Sequence, residues 1–246
     1  KKVVYDFRQN DLKNGGEGAP LAPIFHKLIS KKIKVEPPLC IINLGGIANI
    51  TSIESGEISD LGSQDIGPGN CLIDEWIKKN TNKKYDKDGL IAKSGKKDIL
   101  ILNQALDNHD NLKKKNILSY DTKDFDLSFV KGLSLEDGAA TLTEFTGKLL
   151  AEATLNYISK LKTKPKKILV CGGGRKNSTL INCLKDNMNI GNLVENIDNF
   201  GVDGDFIESQ AFAYLAIRSF LNLPISFPKT TGCKHPSTGG KLVNNF

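Results

Sequence analysis

The stretch from Leu39 to Ile66 restricts the fold of this chain more than any other. Leu39-Cys40-Ile41-Ile42-Asn43-Leu44 is a nearly unbroken apolar run of strand length, and Ile47–Ile53 is a second run rich in β-branched residues. Glu57–Ile66 reads as a third strand. Gly45-Gly46 and Ser55-Gly56 are turns too short for a crossover, so the three strands form an antiparallel meander. Gly67-Pro68-Gly69 then ends the sheet and opens a helix over Asn70–Lys79, with Leu72, Ile73, Trp76 and Ile77 on one face.

The rest of the chain alternates. Ser134-x-x-Asp137 has the pattern of a capping box and starts a long helix, whose apolar stripe runs Leu142, Phe145, Leu149, Ala153, Tyr157 and Leu161. A strand over Lys167–Cys171 leads into three glycines, then a helix near Asn177–Asp186, a strand near Leu193–Ile197 and a final helix over Phe206–Leu221. The order β-β-β-α-β-α-β-α specifies an α/β fold with a mixed five-stranded sheet and helices on its faces. It is the order of the ribonuclease-H-like lobe of actin-like ATPases. Ahead of it lie a strand over Val3–Phe7, a polar glycine-rich loop through Gly18 and a helix over Pro20–Ser30. Glu36-Pro37-Pro38 is a stiff break. Residues 1–38 are therefore expected to be the end of a separate N-terminal lobe. Residues 39–246 are expected to form the C-terminal actin-like ATPase lobe, with 80–132 as a surface insertion.

Composition narrows the function classes. The 39% hydrophobic content and mean hydropathy of −0.27 suit a globular chain, and no apolar run approaches membrane-spanning length. Five cysteines form no CxxC pair, and only three histidines occur, which argues against a zinc site and for a reducing cytoplasm. The formal charge of +6 is spread over lysine clusters such as Lys83-Lys84, Lys113–Lys115 and Lys164–Lys167 without interleaved aromatics. Solvated lysine explains it better than a nucleic-acid surface.

Several motifs carry chemistry, each with a plainer reading beside it. In Asn43-Leu44-Gly45-Gly46-Ile47-Ala48-Asn49-Ile50-Thr51, the glycines let backbone amides approach an anion, while Gly-Gly is also a favoured type I′ hairpin pair. Asn43, Asn49 and Thr51 alternate with apolar neighbours and so share a face. Asp65-Ile66-Gly67-Pro68-Gly69-Asn70 puts a carboxylate at the carboxyl end of a strand, fit to accept a proton or to make an Asx turn. Cys171-Gly172-Gly173-Gly174-Arg175-Lys176-Asn177 opens a helix after a strand, which suits a phosphate, yet it matches neither the dinucleotide fingerprint nor the P-loop. Arg8, in Asp6-Phe7-Arg8-x-x-Asp11, suits a carboxylate or a structural pair with aspartate. Glu208, at the start of the last helix, either reaches a sugar hydroxyl or favours the helix N-terminus.

Taken together, these motifs and the Gly15-Gly16-Glu17-Gly18-Ala19-Pro20-Leu21 loop resemble, in order and spacing, the anhydro-N-acetylmuramic acid kinase family of the actin–hexokinase–Hsp70 superfamily. The resemblance runs across essentially the whole chain. It implies an ATP- and Mg²⁺-dependent sugar kinase that opens 1,6-anhydro-N-acetylmuramic acid with water and phosphorylates O6, in peptidoglycan recycling. It implies Asp65 as the catalytic residue and Arg8, Asp11 and Glu208 as substrate-side residues. Gly45, Gly46, Asn49, Gly67, Gly172, Gly173, Gly174 and Asn177 would be ATP- and phosphate-side residues, with no protein metal ligand. The implied partners are the sugar and ATP, with neither nucleic acid nor membrane, and with a homodimer allowed. Members begin with a glycine- and serine-rich phosphate loop that this sequence does not contain, so most of the N-terminal lobe is expected to be missing. The competing readings are another sugar kinase of the superfamily and a non-catalytic actin-like ATPase lobe.

Overall fold

The computed structural model describes residues 2–112 and 120–243. Strand β1 (Val3–Tyr5) leads to two helices, α1 (Gln9–Lys13) and α2 (Pro23–Lys32). The meander follows as β2 (Leu39–Leu44), β3 (Ile47–Ile53) and β4 (Leu61–Pro68). Helices α3 (Cys71–Asn80), α4 (Leu90–Ser94), α5 (Ile99–Leu112) and α6 (Leu135–Ser159) come next. Then the chain alternates through β5 (Lys167–Cys171), α7 (Ser178–Asp186), β6 (Val194–Asn196) and α8 (Ile207–Phe220). A short α9 (Pro228–Thr231) and β7 (Lys241–Val243) close it.

The main sheet is mixed, in the order β4-β3-β2-β5-β6. β2–β3 and β3–β4 are antiparallel, whereas β2–β5 and β5–β6 are parallel. β2 is thus central, which is why its sequence is an apolar run rather than an alternation. Both faces are covered. Cys40, Ile42, Leu44, Ile50, Ile168 and Val170 share one core with residues of α3, α6 and α7. Leu39, Ile41, Ile53, Leu61, Leu169 and Cys171 share the other with Ile24, Phe25 and Ile29 of α2 and Ile207, Ala211 and Leu215 of α8. Packing therefore runs across residue 38, since α2 lies on the sheet formed by the residues after it.

Several elements differ from the sequence expectations. The third strand begins at Leu61, because Ile58–Asp60 form a 3₁₀ turn instead. The polar loop after β1 contains α1, and α8 is not the last element, since β7 returns to pair antiparallel with β1. Ser134 caps α6 by accepting from the Asp137 amide at 3.0 Å, but the box does not close: Asp137 Oδ1 accepts from the Lys96 amide at 2.7 Å. Lys164 sends its ammonium to the Ile158 and Ser159 carbonyls at the end of α6, a use that charge counting does not show. Lys113–Lys115 lie outside the described residues.

The larger correction concerns residues 80–132, which are more than surface. Ala92, Leu102, Ala105, Phe125, Leu127 and Val130 are buried in the core under α6. Asp86 takes the Ile91 and Ala92 amides at 2.9 Å each and fixes the start of α4. The apolar positions are sparse among Lys, Asn and Asp, so the composition hides a core-forming pattern. Leu102→Ala is expected to destabilise the chain by about 2–5 kcal/mol, read by urea unfolding. A surface insertion would shift the midpoint by almost nothing.

Candidate active site

The Gly45-Gly46 turn is not a type I′ hairpin, since neither glycine has the positive φ that type requires. It is held from outside instead. The Gly69 and Cys71 amides donate to Gly46 O at 2.9 and 3.2 Å, and the Asn70 amide donates to Gly45 O at 2.8 Å. The chain after β4 is thereby stitched to the turn before β3. A Cβ at residue 69 would lie 2.1 Å from Gly45 O, so only glycine permits this approach.

The stitch sets the geometry of Asp65. Asp65 pairs with Asn49 across the β3–β4 ladder, next to a bulge at Ala48/Asn49. Asn43, Asn49, Thr51, Ser63 and Asp65 continue the sheet face that is apolar at Leu39, Ile41, Ile53 and Leu61. That face therefore runs from hydrophobic at one end to polar at the carboxyl end of β2, where ligands gather in α/β sheets. Asp65 is 8% exposed, and its Oδ2 accepts from the Tyr120 amide at 2.9 Å. One residue that orients the carboxylate thus comes from the 80–132 segment.

Over this end lies a cleft of about 340 Å³. It gathers Arg8, Gly45, Gly46, Asn49, Asp65 and Glu208, six of the residues singled out in the sequence. His26, Asn43, Tyr120 and Phe212 line it as well. His26 is fully enclosed, and burial pushes its imidazole down to about 4. In the sequence, His26 is only one of three scattered histidines that argue against a zinc site. Its placement depends on α2 lying over β3, which no local pattern reveals.

Asp11 lies elsewhere. It is 1% exposed and outside the cleft lining, with Oδ2 accepting from the Gly18 amide at 2.7 Å and Oδ1 from the Thr231 hydroxyl at 2.6 Å. Those bonds fold the glycine-rich loop and anchor α9, and through the loop they place Gly18 and Pro20 at the cleft edge. Gly67 stays in β4 opposite Ala48 with φ +133 and lines neither this cleft nor the next.

The second glycine loop borders a separate cavity of about 380 Å³ with Asn70, Asp74, Tyr85, Gly173, Gly174, Lys176 and Asn177 in its wall. Asn177 caps α7, its side chain accepting from the Leu180 amide at 2.9 Å. Gly172 has φ +82 and sits against the end of β2, where a Cβ would come within 2.5 Å of Asn43 Oδ1. Arg175 anchors the loop from beneath. Its buried guanidinium bonds Asp198 at 2.9 Å, Asp205 at 2.6 Å and the Gly172 carbonyl at 3.1 Å. Burial alone would lower its affinity for the proton, but Asp198 and Asp205 outweigh that and raise it. The sequence pattern gave Arg175 no such role, because its carboxylate partners lie beyond β6.

In that cavity wall, burial raises Asp74 to about 6, offset in part by Lys78. The folded state then binds more protons than the unfolded chain between about pH 4 and pH 6. Asp74 therefore penalises folding increasingly as pH rises through that window. Asp74→Asn is expected to gain stability relative to the parent on going from pH 4 to pH 7.5, measured by urea unfolding at each pH. A difference that stays constant with pH would show the carboxyl to be an ordinary exposed one.

The anhydro-N-acetylmuramic acid kinase family model, AnmK, matches residues 1–245. A relative from Pelagibacter ubique named anhydro-N-acetylmuramic acid kinase is 54% identical over 100% of this chain and 66% of its own length. Relatives of the same name from Zymomonas mobilis and Rhodospirillum rubrum are 45% and 42% identical, over 98% and 97% of this chain and 63% and 61% of theirs. The chain thus spans a little under two thirds of the curated relatives it matches. Among solved structures, a xylulose kinase from Rhodospirillum rubrum overlaps at TM-score 0.47 and 9% identity, over 80% of this chain and 41% of that one, a likeness from which nothing is transferred. The chain belongs to the anhydro-N-acetylmuramic acid kinase family.

Proposed function

We propose that the full-length protein uses ATP to open 1,6-anhydro-N-acetylmuramic acid with water and to phosphorylate O6, giving N-acetylmuramic acid 6-phosphate for peptidoglycan recycling in the cytoplasm. The observation that carries the reading is the buried carboxylate of Asp65 in the lining of a cleft that also holds Arg8, Glu208 and the Gly45-Gly46 turn. Asp65 takes a proton from water as the water oxygen bonds to C1. The C1–O6 bond breaks, and O6 bonds to the γ-phosphorus while ADP leaves with the electron pair of the cleaved P–O bond. The Tyr120 amide donates to Oδ2 of Asp65 and orients the carboxylate in the cleft lining. Arg8 suits the lactyl carboxylate, and Glu208 a sugar hydroxyl.

The residues present suit a nucleotide. A Cβ at Gly46 or at Gly173 would meet nothing closer than 3.8 and 4.0 Å respectively, so both loops leave room beside their backbone for phosphate. Gly45 and Gly46 would take the phosphoryl end, and Gly173, Gly174 and Asn177 the nucleoside side. Mg²⁺ bound with the nucleotide would neutralise charge on the transferred group. The role of Asp11 in this scheme is to hold the loop that carries Gly18, which supports substrate binding from a distance.

The test is incubation of the full-length protein with ATP, Mg²⁺, the anhydro-sugar and ¹⁸O-water, followed by mass spectrometry of the product. The expected result is a 6-phosphate with ¹⁸O at C1. Asp65→Asn should lower kcat by about 10²–10⁴ while the protein stays folded. A phosphorylated product without ¹⁸O would remove Asp65 from the role of base toward water.

A further inference from the structure

Two buried polar atoms in the cleft lining have no hydrogen-bond partner: His26 Nε2 and Asn49 Oδ1. His26 is 1% exposed, and its Nδ1 lies 2.8 Å from Thr51 Oγ1. Leaving a buried polar atom unpaired costs roughly 1–3 kcal/mol, so two in one cleft point to a ligand that pairs them. Their placement is related. Asn49 and Thr51 are two apart on β3, hence on the same face and about 7 Å apart along the strand. Thr51 ties the His26 ring to that face one strand repeat from Asn49.

The chemistry of the two atoms is complementary. A ring this buried is neutral at neutral pH. When the Thr51 hydroxyl donates to Nδ1, the ring proton sits on Nε2, which becomes a donor. Asn49 Oδ1 is an acceptor. An uncharged donor and an uncharged acceptor, on different elements but one face, match a neutral group that offers its own acceptor and donor on different atoms. A secondary amide does so through its C=O and N–H. A hydroxyl offers both from one oxygen, and a charged substituent would face no countercharge from either residue.

Resting on the kinase reading above, we infer that His26 and Asn49 form the pocket for the substrate's acetamido group, with His26 Nε2 donating to its carbonyl oxygen and Asn49 Oδ1 accepting from its N–H. This moves Asn49 from the phosphate side, where the family resemblance put it, to the sugar side. It gives the cleft selectivity for 2-acetamido sugars over their 2-hydroxy counterparts. A site built to pair an amide rejects the analogue that lacks it, because its own buried groups are then left unpaired.

The experiment compares kcat/KM of the full-length enzyme for the acetamido anhydro-sugar and for the analogue bearing hydroxyl in its place. Wild type should favour the first by about 100-fold. His26→Leu and Asn49→Leu should each lower kcat/KM for the acetamido sugar by about 10–100-fold through KM, with the KM for ATP unchanged, and so bring the selectivity ratio down by that factor. His26→Gln, which keeps an N–H donor, should restore part of the ratio. Asn49 is half-buried, so its variant carries the test if His26→Leu does not fold. An active wild type whose ratio is unchanged in the variants overturns this inference alone and assigns the two atoms to structural water. Equal losses on both sugars overturn it as well, in favour of a general packing role. A wild type inactive on both sugars overturns the kinase reading and the inference together.

Discussion

The hydrogen bonds from the Gly69, Asn70 and Cys71 amides to the Gly45 and Gly46 carbonyls hold the candidate site in shape. They join the β2–β3 turn to the β4–α3 junction at one end of the meander. Without them the turn would be free to choose a primed hairpin geometry, and Asp65, four residues before Gly69, would lose its fixed height over β3. The bonds also use the amides of residues 69–71 internally. Any anion near this point must therefore be met by other amides, which directs attention to the Gly45 and Gly46 nitrogens and to the loop after β5.

The second constraint is the gradient along one sheet face. Leu39, Ile41, Ile53 and Leu61 bury against α2 and α8 and hold those helices down. The same strands continue into Asn43, Thr51, Ser63 and Asp65, whose polar groups cannot all pair with each other. Thr51 pairs with His26, Ser63 with the Ile50 carbonyl and Asp65 with the Tyr120 amide, while Asn49 Oδ1 and the far nitrogen of His26 are left over. A fold selected for stability alone would complete such pairs or fill the space with apolar side chains. On this sheet face, the two atoms left over among the described residues belong to the lining of the cleft, and the opposite end lies in an apolar cluster.

Much of this was legible in the sequence. The meander, α3, α6 and the β5–α7 unit are all short-range patterns, and β2 announces its central position by being apolar on both faces. Arg8, Gly45, Gly46, Asn49, Asp65 and Glu208 do converge on one cleft. What was not legible depends on contacts between residues far apart in sequence. β7 pairs with β1 across nearly the whole chain, Tyr120 reaches Asp65 from a lysine- and asparagine-rich stretch, and His26 reaches Thr51 from another helix. Asp11, which the family resemblance put on the substrate side, likewise has its partners Gly18 and Thr231 set by contacts that no local pattern shows.

The glycines teach the same distinction more sharply. Three in the motif after β5 suggest a cradle for phosphate, but they do not serve alike. A Cβ at Gly172 would strike Asn43 and the Leu44 carbonyl, and one at Gly174 would lie 2.8 Å from the Leu44 side chain. These two are glycine because the loop packs on the end of β2. Gly173 and Gly174 both line the cavity, but only at Gly173 of the three would a Cβ find open space, its nearest neighbour being 4.0 Å away, much as at Gly46 on the other side, at 3.8 Å. The two loops consequently meet through Asn43 and Leu44, the last residues of the central strand. A shift of one loop must press on the other through that strand end. The packing glycines thus hold the loop against the central strand, and the open ones leave room beside their backbone in the two cavities.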